Sequence, residues 1–469
     1  MKIVSNDLSL SLYLRHISIE VFGKEFQKDG VLNVTLEKEG DEYIAKVTYS
    51  GISSLSTQRA TFPSAKTCAV GKAVIDLGGK LGFLPAPYGV LTGVRPVKIA
   101  SALIDAFGKN EACELLEKEY YVKTEKIDAL IDCALVDKHF RNSHAPRDVS
   151  LYLSIPFCPS RCNYCSFVSA TTERQSGLVP DYLNTLFFEM SEVSKIIKAN
   201  NLAVRSIYVG GGTPGILDES QTYSLISHIN NLFNSDMLTE FNFEIGRPET
   251  VNQSKLEILK DGGVNRISIN TQSTDDGVLS SIGRRHTVQQ YFNSISLAQK
   301  VGFENINTDL IAGLENDSFK TFKNSVDEVI NTGVNSITVH SLCLKKSASI
   351  KDDCNFSVFG KNIDDYIEYA KNCCISSGFA PYYLYRQKYS LGNHETLGYS
   401  KNKPSYYNVV MMNEIGNVIG MGAGATSRIE ANDKNLHFAN YKYPHDYIKD
   451  KQKIEKELNG ISIILGENA

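Results

Sequence analysis

Apolar and polar residues alternate with a period of two from Val31 to Tyr49, around a Glu39-Gly40-Asp41 turn, and this predicts a β-hairpin. The spacing changes over Ala65 to Leu81, where apolar residues recur at three- and four-residue steps and predict a helix. A Gly-Phe-Leu-Pro-Ala-Pro-Tyr-Gly stretch interrupts the pattern, and helical spacing resumes at Val97 to Ala106 and Leu115 to Tyr121. These elements make a small α/β unit ending near Arg147. No catalytic cluster stands out within it.

From Asp148 the pattern becomes a repeated strand-then-helix alternation. Six short strands rich in Val, Ile, Tyr or Phe are expected at Ser150–Ile155, Ser206–Val209, Phe241–Ile245, Arg266–Asn270, Asn305–Ile311 and Ser336–His340. In the first intervening helix Leu183, Leu186, Phe187, Met190, Val193 and Ile197 form one apolar stripe to lay on a sheet. Parallel strands joined by helical crossovers give a doubly wound sheet or a barrel, and six units fall short of the eight of a closed barrel. The expected fold is therefore α/β, an open, partial (β/α)6 TIM-like barrel. Beyond about Ser347 the alternation lapses into a Tyr-rich stretch, Pro381–Tyr389, and a Gly-rich one, Gly420–Ala425. The expected organisation is an N-terminal α/β domain (1–147), the barrel (148–346) and a C-terminal α+β domain covering the substrate (347–469).

Length and composition narrow the class. A chain of 469 residues exceeds what one core usually supports, and 22% charged with 42% hydrophobic residues is the balance of an ordinary globular protein. A net charge of −4 without a basic run gives no sign of a nucleic-acid partner. The N-terminus has neither a long apolar core nor a small-residue cleavage site, and no apolar run approaches the ~18 residues that span a bilayer. The expected location is cytoplasmic, with free thiols among the ten cysteines. Cys68, Cys113, Cys133, Cys354, Cys373 and Cys374 lack tight ligand spacing and read as structural.

Three cysteines read differently. Cys158, Cys162 and Cys165 lie in Cys-x3-Cys-x2-Cys spacing directly after the first barrel strand. A compact loop can direct three thiolates to three corners of an iron–sulfur cube, leaving the fourth iron open for the amino and carboxylate groups of S-adenosylmethionine (SAM). Zinc would need a fourth Cys or His nearby, and the loop offers none. Gly210-Gly211-Gly212-Thr213-Pro214 follows the second strand, where residues without side chains let the backbone approach a ligand. Glu244, Gln272 and Asp309 fall at or near the C-terminal ends of later strands, the face on which parallel barrels place their sites.

Taken in order, the segments LYLSIPFCPSRCNYCSF, YVGGGTPG, FEIGRPE, RISINTQS, IGRRHT and NTDLIAGL resemble those of the oxygen-independent coproporphyrinogen III oxidase family of radical SAM proteins. GVRPVKIA, YYLYRQKYSLGN and GAGATS extend the likeness to its branch of HemZ-type coproporphyrinogen dehydrogenases. The resemblance implies a [4Fe–4S] cluster on Cys158, Cys162 and Cys165, and a cluster-bound SAM met by Tyr152, Gly211, Gly212, Thr213 and Glu244. Family members can hold a second SAM, and Tyr164, Gln272, Arg284 and Asp309 match positions lining that second site. It further implies a tetrapyrrole substrate, an electron donor of the flavodoxin, ferredoxin or reductase kind, and a monomer without nucleic-acid or membrane partners. One departure stands out: the well-established oxidases carry a further cysteine two residues after the third ligand, where this chain has Phe167.

Three activities follow as expectations. The first is oxidative decarboxylation, in which a SAM-derived radical abstracts hydrogen from a porphyrinogen propionate and loss of CO2 and an electron leaves a vinyl group. Arg386, Lys388 or Arg247 would pair with the carboxylates. The second is haem binding or delivery without decarboxylation, with His340 or His394 as candidate ligands. The third is radical methyl transfer or anaerobic porphyrin-ring opening.

Overall fold

Four strands, β1 (Lys2–Ser5), β2 (Val31–Glu39), β3 (Glu42–Tyr49) and β4 (Ile52–Arg59), form the first sheet in that order. The β2–β3 pair is the expected hairpin, closed at Glu39 opposite Glu42. The helix Ala65–Lys80 lies on this sheet with Cys68, Ala69, Val70, Ala73, Val74 and Leu77 wholly buried, and helices Pro96–Phe107, Lys109–Lys118 and Thr124–Ser143 follow. The third of these helices lay beyond the expected elements. The computed structural model describes residues 1–23, 30–167, 170–343, 363–388, 390–432 and 434–467. Cys354 and the expected boundary after residue 346 lie outside them.

The second sheet contains all six expected barrel strands. These are β5 (Asp148–Ile155), then β8 (Ala203–Gly211), β9 (Glu240–Gly246), β10 (Arg266–Ile269), β11 (Asn305–Ala312) and β12 (Ser336–Ser341), mutually parallel in that order. Between β5 and β8 a two-residue pair, β6 (Phe157–Cys158) and β7 (Ala170–Thr171), joins the two ends of the cysteine loop.

The strands alternate, although both faces of the sheet are enclosed. Leu151, Leu153, Ile155, Ile207, Val209, Phe241, Phe243, Ile267 and Ile269 are buried on the helix side. The intervening positions are polar and bond across the lumen side: Ser206 to Ser150 at 2.8 Å, and Ser336 and Thr338 to Asn307 at 3.1 and 3.2 Å. A period of two therefore separates an apolar outer layer from a polar interior.

Among the described residues, the chain after β12 does not form a sheet of its own. Strands β13 (Ala380–Arg386) and β14 (Glu395–Ser400) extend the barrel sheet beyond β12, and β15 (Asn417–Met421) adds a parallel strand beside β5, followed by antiparallel β16 (Thr426–Ala431) and β17 (Lys434–Ala439). The result is an open sheet of eleven strands. By contacts the chain divides into two compact units, Met1–Lys138 with Leu384–Glu395, and His139–Tyr383 with Thr396–Ala469. The expected third domain is thus replaced by strands continuing the barrel, with one excursion into the N-terminal unit. Antiparallel, Gly- and Tyr-rich strands carry no strand–helix alternation, so they do not announce that they belong to the same sheet.

Candidate functional site

Strand β5 ends at Ile155, and the chain turns through Pro156 into the loop bearing Cys158, Cys162 and Cys165. Cys162 is buried, while Cys158 and Cys165 are half-buried. The loop docks on the segment after β10: Asn163 N–H bonds Ile282 O at 3.2 Å, the Ser160 hydroxyl bonds Gly283 O at 3.1 Å, and the Asn163 amide reaches Ser281 O at 3.0 Å. Gly283 has φ +76° and lies against the Arg161 carbonyl, which a Cβ would meet at 3.2 Å. The IGRRHT segment is therefore the floor on which the cysteine loop rests.

The glycine run supports the loop from the other side. Gly212 N–H bonds Ile155 O at 2.9 Å and Thr213 N–H bonds Phe157 O at 2.7 Å. A Cβ on Gly212 would stand 2.5 Å from the Phe157 carbonyl oxygen, and one on Gly211, at φ +110°, 2.8 Å from Ser154 Oγ. A Cβ on Gly210 would meet Glu244 Oε2 at 2.7 Å. These close approaches are to the protein's own backbone and side chains, a use of glycine that the motif does not reveal. Thr213 Oγ1 lies 3.5 Å from Cys158 Sγ.

Glu244 stands on β9 beside this run and accepts a hydrogen bond from the Tyr208 hydroxyl. Burial, reinforced by Asp309, pushes its carboxyl up to about 7, against the lowering effect of Tyr208 and the Gly211 N–H. Tyr152 pairs in register with Tyr208, and both rings stack with Tyr407, at centroid distances of 6.1 Å for Tyr152–Tyr208 and 4.4 Å for Tyr208–Tyr407. Tyr152, Gly211, Gly212, Thr213 and Glu244 thus gather at the C-terminal ends of β5, β8 and β9.

The remaining expected residues lie across β10 to β12. Gln272 takes φ +73°, held by its N–H on Asp309 O (2.9 Å) and its carbonyl on Ile311 N–H (3.1 Å), and its side-chain Oε1 is buried with no hydrogen-bond partner among the described residues. Such a strained residue with an orphaned acceptor fits a position completed by a ligand. Arg284 is buried and donates to Asn270 O at 2.8 Å and to the Tyr164 hydroxyl at 3.4 Å. Burial opposes its charge, but the Tyr164 hydroxyl and Cys162 thiol hold the guanidinium above its ordinary range. Asp309 accepts from the Asn307 amide at 2.8 Å and lies 3.7 Å from His340 Nε2.

One group escaped the sequence reading, and another was read for a different role. Glu189 sits inside the apolar stripe of helix Val179–Ala199, between Leu186 and Met190, and that misplaced charge is the signal that marks it. Its carboxylate accepts from Gly422 N–H (2.7 Å), Tyr447 OH (2.6 Å) and the Asn440 amide (2.7 Å), and burial pushes it up to about 7. It fixes the Gly422–Ala425 turn, whose Ala423 carbonyl accepts from Ser154 Oγ at 2.7 Å. The other is Arg247. Its buried guanidinium donates to Ser160 O at 2.8 Å and to Cys162 Sγ at 3.1 Å, so it is committed to the cysteine loop and is not a free partner for substrate carboxylates.

Arg386 is likewise committed. It is buried within the N-terminal unit, donating to Leu91 O, to Asn393 O at 3.3 Å and to Glu20 at 2.9 Å. Lys388 lies 3.0 Å from His16 in that unit. His394 is 1% exposed beside Glu395, which removes it as a haem ligand. His340, whose side chain is 25% exposed, remains accessible.

The donor set suits an iron–sulfur cluster. Three thiols come from one loop, and burial, with Cys162 and Cys158 adding to it, pushes the Cys165 thiol up against the lowering effect of the Phe167 backbone. Thr213 and Arg247 place hydrogen-bond donors against two of the three thiols. Among the described residues no group of three His, Cys, Asp or Glu converges on a single metal ion. A cubane does not require that, because its protein thiolates sit on different irons. Among the described residues, no helix is long and apolar enough to cross a membrane.

Comparison with known proteins agrees with this geometry. The profile of the Radical SAM superfamily matches residues 152–329. The oxygen-independent coproporphyrinogen-III oxidase-like protein HemZ of Bacillus subtilis is 36% identical over 448 residues, covering 91% of this chain and 89% of that protein. The heme chaperone HemW of Bacillus subtilis is 36% identical over 197 residues, covering 42% of this chain and 51% of that protein. In fold, the coproporphyrinogen III oxidase HemN of Escherichia coli, a radical SAM enzyme, superposes with a TM-score of 0.52 at 20% identity, over 68% of this chain and 73% of that one. The chain belongs to the radical SAM superfamily, in the family of oxygen-independent coproporphyrinogen-III oxidase-like proteins, whose cofactors are a [4Fe–4S] cluster and SAM.

Proposed function

We propose that the chain is an oxidoreductase that converts porphyrinogen propionates to vinyl groups by oxidative decarboxylation. Cys158, Cys162 and Cys165 ligate the cluster, and Tyr152, Gly211, Gly212, Thr213 and Glu244 surround the SAM bound to it. Tyr164, Gln272, Arg284 and Asp309 line the place of a second SAM. The observation that supports the reading best is the extent of the likeness: the oxidase-like relative matches 91% of the chain, both units included, and the heme chaperone 42%.

When bound, the cofactors supply one-electron reductive cleavage of SAM and hydrogen abstraction from carbon. Glu244, once ionised, pairs with the amino group of SAM, and Tyr208 orients its carboxylate. Gly212 and Thr213 hold the cysteine loop at the strand ends, where cluster and SAM would meet. Arg284 contributes a permanent buried cation on the far side of the mouth.

The test is anaerobic incubation of the reduced protein with SAM, coproporphyrinogen III and a cell extract as electron acceptor, with products read by mass. Loss of two CO2 units, with one methionine and one 5′-deoxyadenosine released per decarboxylation, is the expected result. SAM cleavage with unchanged coproporphyrinogen would overturn the substrate assignment. Haem delivery is the second reading, favoured by Phe167, which is 69% exposed on the cysteine loop where the well-established oxidases carry cysteine. Tight haem binding without turnover is its signature, with His340 as the ligand to replace.

A further inference from the structure

Strand β9 ends at Gly246, whose φ of +81° turns the chain so that Glu244 and Arg247, three residues apart, serve different partners. Glu244 stays with Tyr208. The Arg247 guanidinium instead reaches the cysteine loop, with Nη2 on Ser160 O at 2.8 Å and on Cys162 Sγ at 3.1 Å, and Nη1 on Ser160 Oγ at 3.4 Å and Glu249 at 3.5 Å. Its side chain is 4% exposed. Behind it, the second oxygen of Glu249 faces His286 Nδ1 at 3.4 Å. Burial works against the Glu249 charge, but His286, its own backbone and Arg247 hold the carboxyl down at about 2.

Pinning a loop carbonyl would not require a buried cation, because a neutral donor makes that bond at lower desolvation cost. A cation pressed on a sulfur acts differently from a neutral donor when the sulfur carries negative charge and when that charge increases. Hydrogen bonds to the sulfurs and local net charge are the quantities by which a protein sets an iron–sulfur potential.

We propose that Arg247 is a positioning residue that raises the reduction potential of the cluster through its charged hydrogen bond to Cys162, with Glu249 as the counter-charge that limits the rise. This rests on the reading of Cys162 as a cluster ligand. The step concerned is the transfer of one electron from a low-potential flavin or iron–sulfur donor into the cluster, which adds one negative charge and makes or breaks no bond. A guanidinium at Cys162 stabilises that added charge. The Glu249 carboxylate behind it opposes it.

The test is an anaerobic redox titration of the full chain, reconstituted with iron and sulfide and followed by EPR without SAM, in wild type, Arg247→Gln, Arg247→Lys and Glu249→Gln. Iron and sulfide content is measured in each. The expected result is a midpoint potential more negative than wild type in Arg247→Gln, nearer wild type in Arg247→Lys, and less negative than wild type in Glu249→Gln. Opposite signs for the two glutamine variants are what damage to the loop cannot produce, since damage moves both alike. An unchanged potential in loaded Arg247→Gln, or shifts of the same sign in both glutamine variants, would overturn the proposal. If Arg247→Gln fails to assemble a cluster, the sign of Glu249→Gln decides, and no rise there overturns it. Absence of iron and sulfide from the wild-type protein would instead overturn the cluster reading beneath it.

Discussion

Lys126 and Glu395, 269 positions apart, form an ion pair of 2.9 Å whose side chains are 6% and 3% exposed. Both belong to the N-terminal unit, so the excursion Leu384–Glu395 is tied there by a buried charge as well as by the commitments of Arg386. Breaking such a pair strands an ion in a dry interior, at a cost of about 3–5 kcal/mol. Lys126→Met is therefore expected to lose stability of that order in urea unfolding, and the double variant Lys126→Met/Glu395→Leu to recover much of it. Burial opposes the Glu395 charge, but Lys126 and His394 hold its carboxyl well below the ordinary value of 4.5. A depressed folded value means that the stabilisation is complete above the unfolded value and lost as pH falls below it. A wild-type protein as stable well below pH 4.5 as just above it would contradict this.

Glu244 titrates the other way. Its carboxyl is raised to about 7 by burial and by Asp309, with Tyr208 and the Gly211 N–H opposing, and the Tyr152 and Tyr407 rings close by. The folded value lies above the unfolded one, so ionising Glu244 costs the free protein stability as pH rises between about 4.5 and about 7. On the proposed pairing with the SAM amino group, binding takes the ionised form. The affinity for SAM should climb with pH, up to roughly tenfold per unit below about 7, and level off above. Calorimetric titration of SAM across that range checks it, and Glu244→Gln should bind weakly with the slope removed while keeping its iron.

The two outer glycines of the run should fail in different ways. An alanine Cβ at Gly212 meets the Phe157 backbone at 2.5 Å, which cannot yield without moving the start of the cysteine loop. Gly212→Ala is expected to lower iron and sulfide content and to cost about 1–3 kcal/mol. At Gly210 the obstacles are side chains, the Glu244 carboxylate at 2.7 Å and the edge of the Tyr208 ring at 2.8 Å, which bear on the Glu244 site and not on the cysteine loop. Gly210→Ala should retain the cluster and lose SAM affinity, and equal loss of iron in both variants would refute the distinction.

Replacing Cys158, Cys162 and Cys165 together by alanine should empty the site of iron and acid-labile sulfide. The fold should persist, because the loop keeps its backbone bonds to Ile282 and Thr213. Metal analysis with far-UV circular dichroism tests both halves. Iron and sulfide retained in the triple variant would remove these residues as ligands.

The barrel strands and the cysteine loop were legible because their signals are local. Short β-branched runs, helical stripes and cysteine spacing each lie within one stretch of chain. The role of Arg247 was not legible, since an arginine after Gly246 looks like any surface cation until the cysteine loop is folded over it. Arg386 misled for the same reason: period-two spacing with Lys388 suggests an exposed face, whereas its partners Glu20 and Leu91 lie far away in sequence. Glu189 was the reverse case, a legible anomaly in an apolar stripe whose partners, Gly422, Asn440 and Tyr447, only the fold supplies.

The placement of β15 beside β5 also governs the order in which the protein can be assembled. The strand leading into the cysteine loop has β8 on one side and, on the other, a strand from far later in the chain, with Gly420 opposite Tyr152. Until that strand docks, one edge of β5 is unpaired, and Ser154 lacks the Ala423 carbonyl that accepts its hydroxyl. Long-range pairing of this kind is slow to form. A chain without β15 would present its three thiols on an unfinished scaffold, so loss of that strand is expected to impair metal loading as much as folding.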